Sequence, residues 1–244
     1  MQKQPVFFRD LGIMGYTEAW EYQESLLKQN VDIKTRYHAA NDRQRKNTTN
    51  YLLFVEHPPV YTLGKTGHEE NVLLDEEELL EKGILFVRTN RGGDITFHGP
   101  EQIVGYPILD LEKFGTDIGK YLRNLEEIII RTLKDYNIAG ERSSGETGVW
   151  IEPDKVGKAR KIAAFGVRCS RWITMHGFAF NVNTDLQYFD GIIPCGIKNK
   201  QVTSLARELG RHINLADVKE KIKFHFEEVF EAELKLMKEV IPVE

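Results

Sequence analysis

Cys195 stands in the run Ile193-Pro194-Cys195-Gly196, where an apolar segment meets a turn. Proline fixes its own backbone angle and glycine tolerates unusual ones, so this setting can present a thiol to a cleft. A thiol becomes a strong nucleophile once it ionises, and a neighbouring ammonium favours the thiolate. Such an ammonium is available upstream at Lys161, which opens the small-residue run Lys161-Ile162-Ala163-Ala164-Phe165-Gly166. A nucleophilic dyad requires folding to bring Lys161 to Cys195. Taken alone, Cys195 also fits a small buried hydrophobe. The other of the chain's 2 cysteines, Cys169, lies between Arg168 and Ser170, where no turn presents it.

A second dense cluster is Arg91-Gly92-Gly93-Asp94-Ile95-Thr96-Phe97-His98-Gly99-Pro100-Glu101-Gln102. Paired glycines let backbone approach a ligand. Arg91 carries a planar donor fork suited to carboxylate or phosphate, and His98 can exchange a proton near neutral pH. The segment therefore reads as a binding wall, or as a hairpin whose glycines serve only the turn. It lacks the Gly-Lys-Ser/Thr ending of a phosphate loop. A third stretch, Thr174-Met175-His176-Gly177-Phe178-Ala179-Phe180-Asn181-Val182-Asn183, alternates apolar with small or polar residues, so one face can line an apolar channel. His57, His98 and His176 with Cys195 lack the short ligand spacing of structural zinc sites. No metal and no bound cofactor is expected.

These segments need a scaffold. The chain has 244 residues, 41% of them hydrophobic, enough for one large domain with a real core. Its net charge of −4 gives no support to nucleic-acid binding. Two cysteines make no disulfide framework, so a reducing compartment is expected. Val6-Phe7-Phe8 is too short for a signal-peptide core, and no apolar run nears the roughly 20 residues that span a bilayer. A cytoplasmic protein with no membrane partner is the expectation.

Patterning predicts strands at Val6–Leu11 (ended by Gly12), Tyr51–Val55, Val60–Leu63, Ile84–Arg88, Ile95–His98 and Ile103–Leu109. Further strands are predicted at Gly148–Ile151, Ala159–Cys169 and Ile173–Val182. Helices are predicted over Tyr16–Lys34, Asp75–Lys82, from a cap at Thr116 or Asp117 to Tyr136, and over Asn214 to about Lys238. Arg36–Asn50 is polar and reads as a surface loop or frayed helix end. Strands cluster centrally with helices flanking them, without one-for-one alternation. The fold class expected is α+β: helices packed on a mixed, largely antiparallel sheet. Residues 1–244 read as a single domain, with about 210–244 a helical segment packed on it.

Together, His57-Pro58-Pro59-Val60-Tyr61-Thr62-Leu63-Gly64, the Arg91–Gln102 segment, Lys161–Gly166, Thr174–Val182 and Pro194-Cys195-Gly196 closely resemble the lipoyl(octanoyl) transferase family. The likeness runs from about Leu11 to Arg207 in the family's motif order. It implies a fold similar to the biotin and lipoate protein ligases. It implies transfer of an octanoyl group from the phosphopantetheine of an acyl carrier protein to a lysine of a lipoyl domain. Such domains occur in 2-oxoacid dehydrogenases and in the glycine cleavage H protein. By the resemblance, the nucleophile falls on Cys195 and its lysine partner on Lys161. The substrate-contacting stretches fall on Arg91, Gly92, Gly93, Asp94, Ile95, Thr96, Phe97 and His98, on Ala164, Phe165 and Gly166, and on Gly177, Phe178 and Ala179. Phe97, Phe165, Phe178 and Phe180 are candidates for the wall of an acyl tunnel.

The chain departs from the family pattern after His98-Gly99-Pro100, where Glu101 replaces the usual glycine. The polar stretch 36–50 is also longer. Lys198, Lys200, Arg207 and Arg211 could form a basic patch for acidic partner domains, or a solvated surface. Two rivals remain. An ATP-dependent lipoate ligase of the same fold needs no nucleophilic cysteine, and a non-catalytic binding module for carrier or lipoyl domains needs neither Cys195 nor Lys161.

Overall fold

The protein is described by a computed structural model, which covers residues 3–40, 48–193 and 201–237. In chain order the elements are β1 (Gln4–Ile13), α1 (Tyr16–Ala40), β2 (Asn50–Glu56), β3 (Val60–Leu63), α2 (Glu76–Glu81), β4 (Leu85–Arg88), β5 (Ile95–His98) and β6 (Gln102–Ile108). There follow α3 (Ile118–Lys134), β7 (Glu141–Ser143), β8 (Glu146–Ile151), β9 (Arg160–Ser170), β10 (Ile173–Asn181), β11 (Gln201–Val202), α4 (Leu205–Leu209), α5 (Leu215–Phe230) and β12 (Ala232–Leu236).

The main sheet runs β12-β1-β2-β6-β10-β9-β8-β7, with β11 added beside β9. The β12/β1, β1/β2 and β11/β9 pairs are parallel. The β2/β6, β6/β10, β10/β9, β9/β8 and β8/β7 pairs are antiparallel. A small sheet, β4-β3-β5, sits apart from it. This is the mixed, mostly antiparallel α+β architecture that the sequence predicts.

Successive strand side chains point to opposite faces, and β2 shows what that does here. Leu52 and Phe54 enter the core under α3 and α5, with Leu125, Ile129, Ile222 and Phe226. Tyr51, Leu53 and Val55 enter the opposite core with Ala19, Leu26 and Leu27 of α1. The sheet is thus covered on both faces, which explains why β2 reads as a continuous apolar run. A third core fills the small sheet around Tyr61, Ile95, Phe97 and Phe189.

Helix starts follow the caps. Asp75 accepts from the Glu78 amide while Glu78 reaches back to the Asp75 amide, a reciprocal capping box. Asp117 and Asn214 cap α3 and α5 through the Lys120 and Ala216 amides.

Four sequence expectations are corrected. Gly12 does not end β1; it sits at φ +65 where the register against β2 shifts, and the strand continues to Ile13. Helix α1 runs past Lys34 to Ala40, so the polar stretch beyond Arg36 begins as helix. That stretch is also anchored at its far end: Asp110 accepts from Thr48 Oγ1 at 2.7 Å and from the buried Lys34 ammonium at 2.5 Å. Residues 41–47 lie outside the described residues. The C-terminal helix stops at Phe230, where Glu231 turns left-handed at φ +50. The chain then runs as β12 against β1, so the segment after 210 is part of the sheet and not only a helix. Among the described residues no helix is long and apolar enough to cross a membrane.

Candidate active site

A cavity of about 470 Å³ opens against β9 and β10. That size falls within the range of small-molecule pockets. Its walls bring together most of the residues singled out in the sequence. Gly92, Gly93, Asp94, Ile95, Thr96 and His98 border it, as does Arg91. From β9 and β10 it receives Lys161, Ala164, Phe165, Gly166, Gly177, Phe178 and Ala179.

The small residues make this possible. The Gly92 amide donates to the Val167 carbonyl at 2.9 Å, so the Gly92–Gly93 loop lies directly on β9. A Cβ on Gly166 would sit 2.8 Å from the Gly92 carbonyl oxygen, closer than real contacts allow. Glycine at 166 is therefore what lets the two segments meet and enclose the space between them.

The four phenylalanine candidates divide. Phe165 and Phe178 border the cavity. Phe97 does not; it stacks on Tyr188 at 4.6 Å and packs in the core of the small sheet. Phe180 is fully buried in the main core.

Arg91 borders the cavity with its guanidinium also engaged by the protein. It is buried, with Nη2 donating to the Thr62 carbonyl at 2.5 Å and to Thr62 Oγ1 at 2.9 Å, while Nη1 donates to the Gly92 carbonyl at 3.1 Å. The guanidinium ties β3 to the glycine loop and leaves a buried positive charge beside the cavity. Asp94 is likewise a clasp. It accepts from the Ile95 amide at 2.7 Å and from Asn71 Nδ2 at 2.9 Å. The Asn71 carbonyl in turn receives the Ile193 amide at 2.8 Å.

His98 cannot exchange protons near neutral pH. Gln102 Nε2 donates to the Phe97 carbonyl and to Asn181 Oδ1, which leaves Gln102 Oε1 to accept from His98 Nδ1 at 2.9 Å. Burial, then the nearby His57 and Arg91, hold His98 well below the usual histidine range. His176 donates from Nε2 to Asn90 Oδ1 at 2.7 Å, an orientation fixed because Asn90 Nδ2 donates to Glu24 at 2.8 Å. Burial and then Arg91 and Arg168 push His176 down to about 3. His57 donates from Nδ1 to the Met14 carbonyl and accepts the Tyr106 hydroxyl proton on Nε2, both at 2.7 Å. Burial pushes it down to about 4. Tyr16 stacks on His98 with centroids 5.7 Å apart, and burial raises its hydroxyl to about 12. All of these rings are neutral at pH 7. Among the described residues no cluster of His, Cys, Asp or Glu is arranged to hold a metal ion.

Lys161 borders the cavity from β9. Its Nζ donates to the Thr147 carbonyl at 3.3 Å and lies over the Trp150 ring, 4.6 Å from the centroid. Its strand is flanked by β11, with Val202 opposite Lys161 and the Thr203 amide donating to the Lys161 carbonyl at 2.9 Å. Pro194, Cys195 and Gly196, with Lys198 and Lys200, lie outside the described residues.

Sequence reasoning missed two parts of the wall. Tyr16 and Tyr106 come from α1 and β6, and their patterning marks them only as core. Gly145 of the β7–β8 turn, with Glu146 and Thr147 at the start of β8, supplies the second part. No expectation was attached to the Ser143-Ser144-Gly145 run.

Glu101, at the position where the resemblance implies a glycine, has a left-handed backbone at φ +59. Its amide donates to Glu56 Oε2 at 3.1 Å, its carbonyl receives the Asn183 amide at 3.2 Å, and its carboxylate accepts from His212 at 2.9 Å. These contacts hold a residue that would otherwise resist this backbone.

The chain was compared with known proteins. An octanoyltransferase from Christiangramia forsetii is 60% identical over 232 residues, covering 93% of this chain and 96% of that protein. An octanoyltransferase from Flavobacterium psychrophilum is 59% identical, covering 91% of this chain and 95% of that protein. Among solved structures, a bipartite lipoate protein ligase from Thermoplasma acidophilum superposes with a TM-score of 0.68 at 16% identity, over 97% of this chain and 88% of that one. At that identity the likeness shows the fold, a lipoate-ligase-like one as expected. The model of the lipoyl protein ligase A/B catalytic domain matches residues 15–227, and the chain belongs to that family.

Proposed function

We propose that this chain is an octanoyltransferase that passes the acyl group through a thioester on Cys195. The observation that carries the reading is the position of Lys161. It places an ammonium against an apolar cavity and on the strand flanked by β11, into which the Cys195 segment leads. The names of the curated relatives, octanoyltransferases at 58–60% identity in the first three, supply the acyl group.

The steps follow from thiol chemistry. The Cys195 thiolate, favoured by the Lys161 ammonium, attacks the thioester carbonyl of octanoyl phosphopantetheine on an acyl carrier protein. The tetrahedral intermediate expels the phosphopantetheine sulfur, which takes a proton from the Lys161 ammonium and leaves as a thiol, so that Lys161 becomes a neutral amine. The lysine amine of a lipoyl domain then attacks the Cys195 thioester. It loses a proton to Lys161, and the Cys195 sulfur departs as the amide forms. One thioester and one amine give one amide and one thiol, with no cofactor consumed. The acyl tail gains about 0.8 kcal/mol per buried CH₂ against Phe165, Phe178 and the Ala163–Ala164 strand.

Incubation with octanoyl carrier protein, followed by intact mass measurement, tests the reading. A single octanoyl adduct is expected on the wild-type chain and none on Cys195→Ser. An adduct that persists in Cys195→Ser removes the thioester. Transfer that requires ATP points instead to a ligase, and carrier binding without any adduct points to a non-catalytic module.

A further inference from the structure

We infer that Glu126 is a positioning residue for Lys161, acting through the single peptide group that joins Thr147 to Gly148; this rests on the acyl-transfer reading of Lys161. Glu126 lies on α3 and is fully buried. A buried carboxylate is costly unless its oxygens are satisfied. Glu126 Oε2 accepts from Arg123 at 2.6 Å and from Arg142 at 3.1 Å, both partly exposed arginines. Glu126 Oε1 turns inward and accepts the Gly148 amide at 3.0 Å.

The Gly148 N–H and the Thr147 C=O belong to one planar unit, so they point in opposite directions. The carbonyl half of that unit accepts from Lys161 Nζ. One peptide group is thus held between a buried carboxylate and the cavity-bordering ammonium. Fixing its N–H fixes the direction of its C=O, and the two hydrogen bonds polarise the group in the same sense. The backbone here also requires glycine. Gly148 sits at φ +147, and a Cβ on it would lie 3.0 Å from Lys161 Cε. Ion pairing with Arg123 and Arg142 alone would explain a surface carboxylate. It does not explain one oxygen aimed into the sheet at the amide whose carbonyl holds Lys161.

The test separates charge from hydrogen bonding. Glu126→Gln retains an acceptor for Gly148 and loses the charge; Glu126→Ala loses both. Thermal stability is expected to fall in both variants. In Glu126→Ala, kcat for octanoyl transfer is expected to fall about 10- to 100-fold, the scale of a displaced catalytic group. KM for octanoyl carrier protein stays near wild type and the pH profile of kcat shifts. Glu126→Gln recovers most of kcat and the wild-type profile. Equal kcat in both variants, whether high or low, overturns the inference. If Glu126→Ala does not fold, Gly148→Ala decides: it should shift the pH profile in the same sense, and a wild-type profile overturns the proposal. Lys161→Ala is the separate control. If Lys161→Ala leaves the pH profile intact, the acyl-transfer role of Lys161 fails on its own account. If Lys161→Ala shifts the profile and Glu126→Ala does not, only the positioning role fails.

Discussion

The two ends of the cavity solve opposite problems. At one end Arg91, His98, His176 and Tyr16 are buried and answer one another: each imidazole has a named donor or acceptor, and the one cation is engaged by Thr62 and Gly92. Burial holds these rings neutral, so this end sets shape and excludes water without titrating near pH 7. At the other end Lys161 keeps a flexible ammonium against a backbone carbonyl and an aromatic face. A cation so held can move by a bond rotation. The comparison teaches that a cluster rich in histidine need not be the reactive one. Two histidines with inviting chemistry, His98 and His176, are walls, and a single lysine among alanines is the candidate for proton transfer.

That contrast can be broken by experiment. Lys161→Ala should reduce octanoyl transfer about 10³-fold, the usual scale for a positioned acid-base, while its thermal midpoint stays close to wild type. Stopped transfer assays with a melting curve check this; near-wild-type rates would move the chemistry elsewhere.

The acid response should come from the other end. His57 and His176 have folded values of about 4 and about 3, below the ordinary 6.5. Between pH 6.5 and 4 the unfolded chain binds protons that the folded chain does not. Stability is therefore full above pH 6.5 and falls as pH drops through that window, by about 1.4 kcal/mol per pH unit for each histidine. Urea unfolding at pH 7, 6 and 5 measures it. A flat stability profile, or an activity profile that follows His176 and not Lys161, would erase the distinction between the two ends.

A smaller effect probes the seam between them. In Gly166→Ala the added methyl meets the Gly92 carbonyl, and the resulting overpacking should cost about 1–3 kcal/mol by thermal denaturation. The smallest change lies outside the cavity. Glu101→Gly relieves a left-handed residue that costs about 1–2 kcal/mol, offset in part by roughly 0.5–1 kcal/mol of glycine chain entropy. A rise in stability of under about 1 kcal/mol is expected, with activity unchanged.

Much of this was legible locally. Val60–Leu63 and Ile95–His98 read off the sequence with their observed bounds, because alternation and flanking breakers act within a few residues. The cap at Asn214 did so for the same reason, and of the two candidates Thr116 and Asp117 the structure uses Asp117. The lysine of the small-residue strand and the glycine loop were visible as unusual compositions. What was not visible depends on partners distant in sequence. Arg91 looked like a ligand fork until Thr62 occupied it. His98 looked titratable until Gln102 and burial removed that. Phe97 and Phe165 look alike in sequence, and only the stacking of Tyr188 on the first separates core from wall. Ala232–Leu236 was read as helix because its strand partner, β1, lies at the far end of the chain.

That last pairing has a consequence for how the protein is made. Gln4 faces Ala232, so during synthesis β1 waits for a strand made much later. Until β12 is made, β1 presents an unpaired edge bearing Val6 and Phe8. Nascent chains stalled short of Ala232 should therefore be the species that chaperones hold and that aggregate first, and their release should track synthesis of β12.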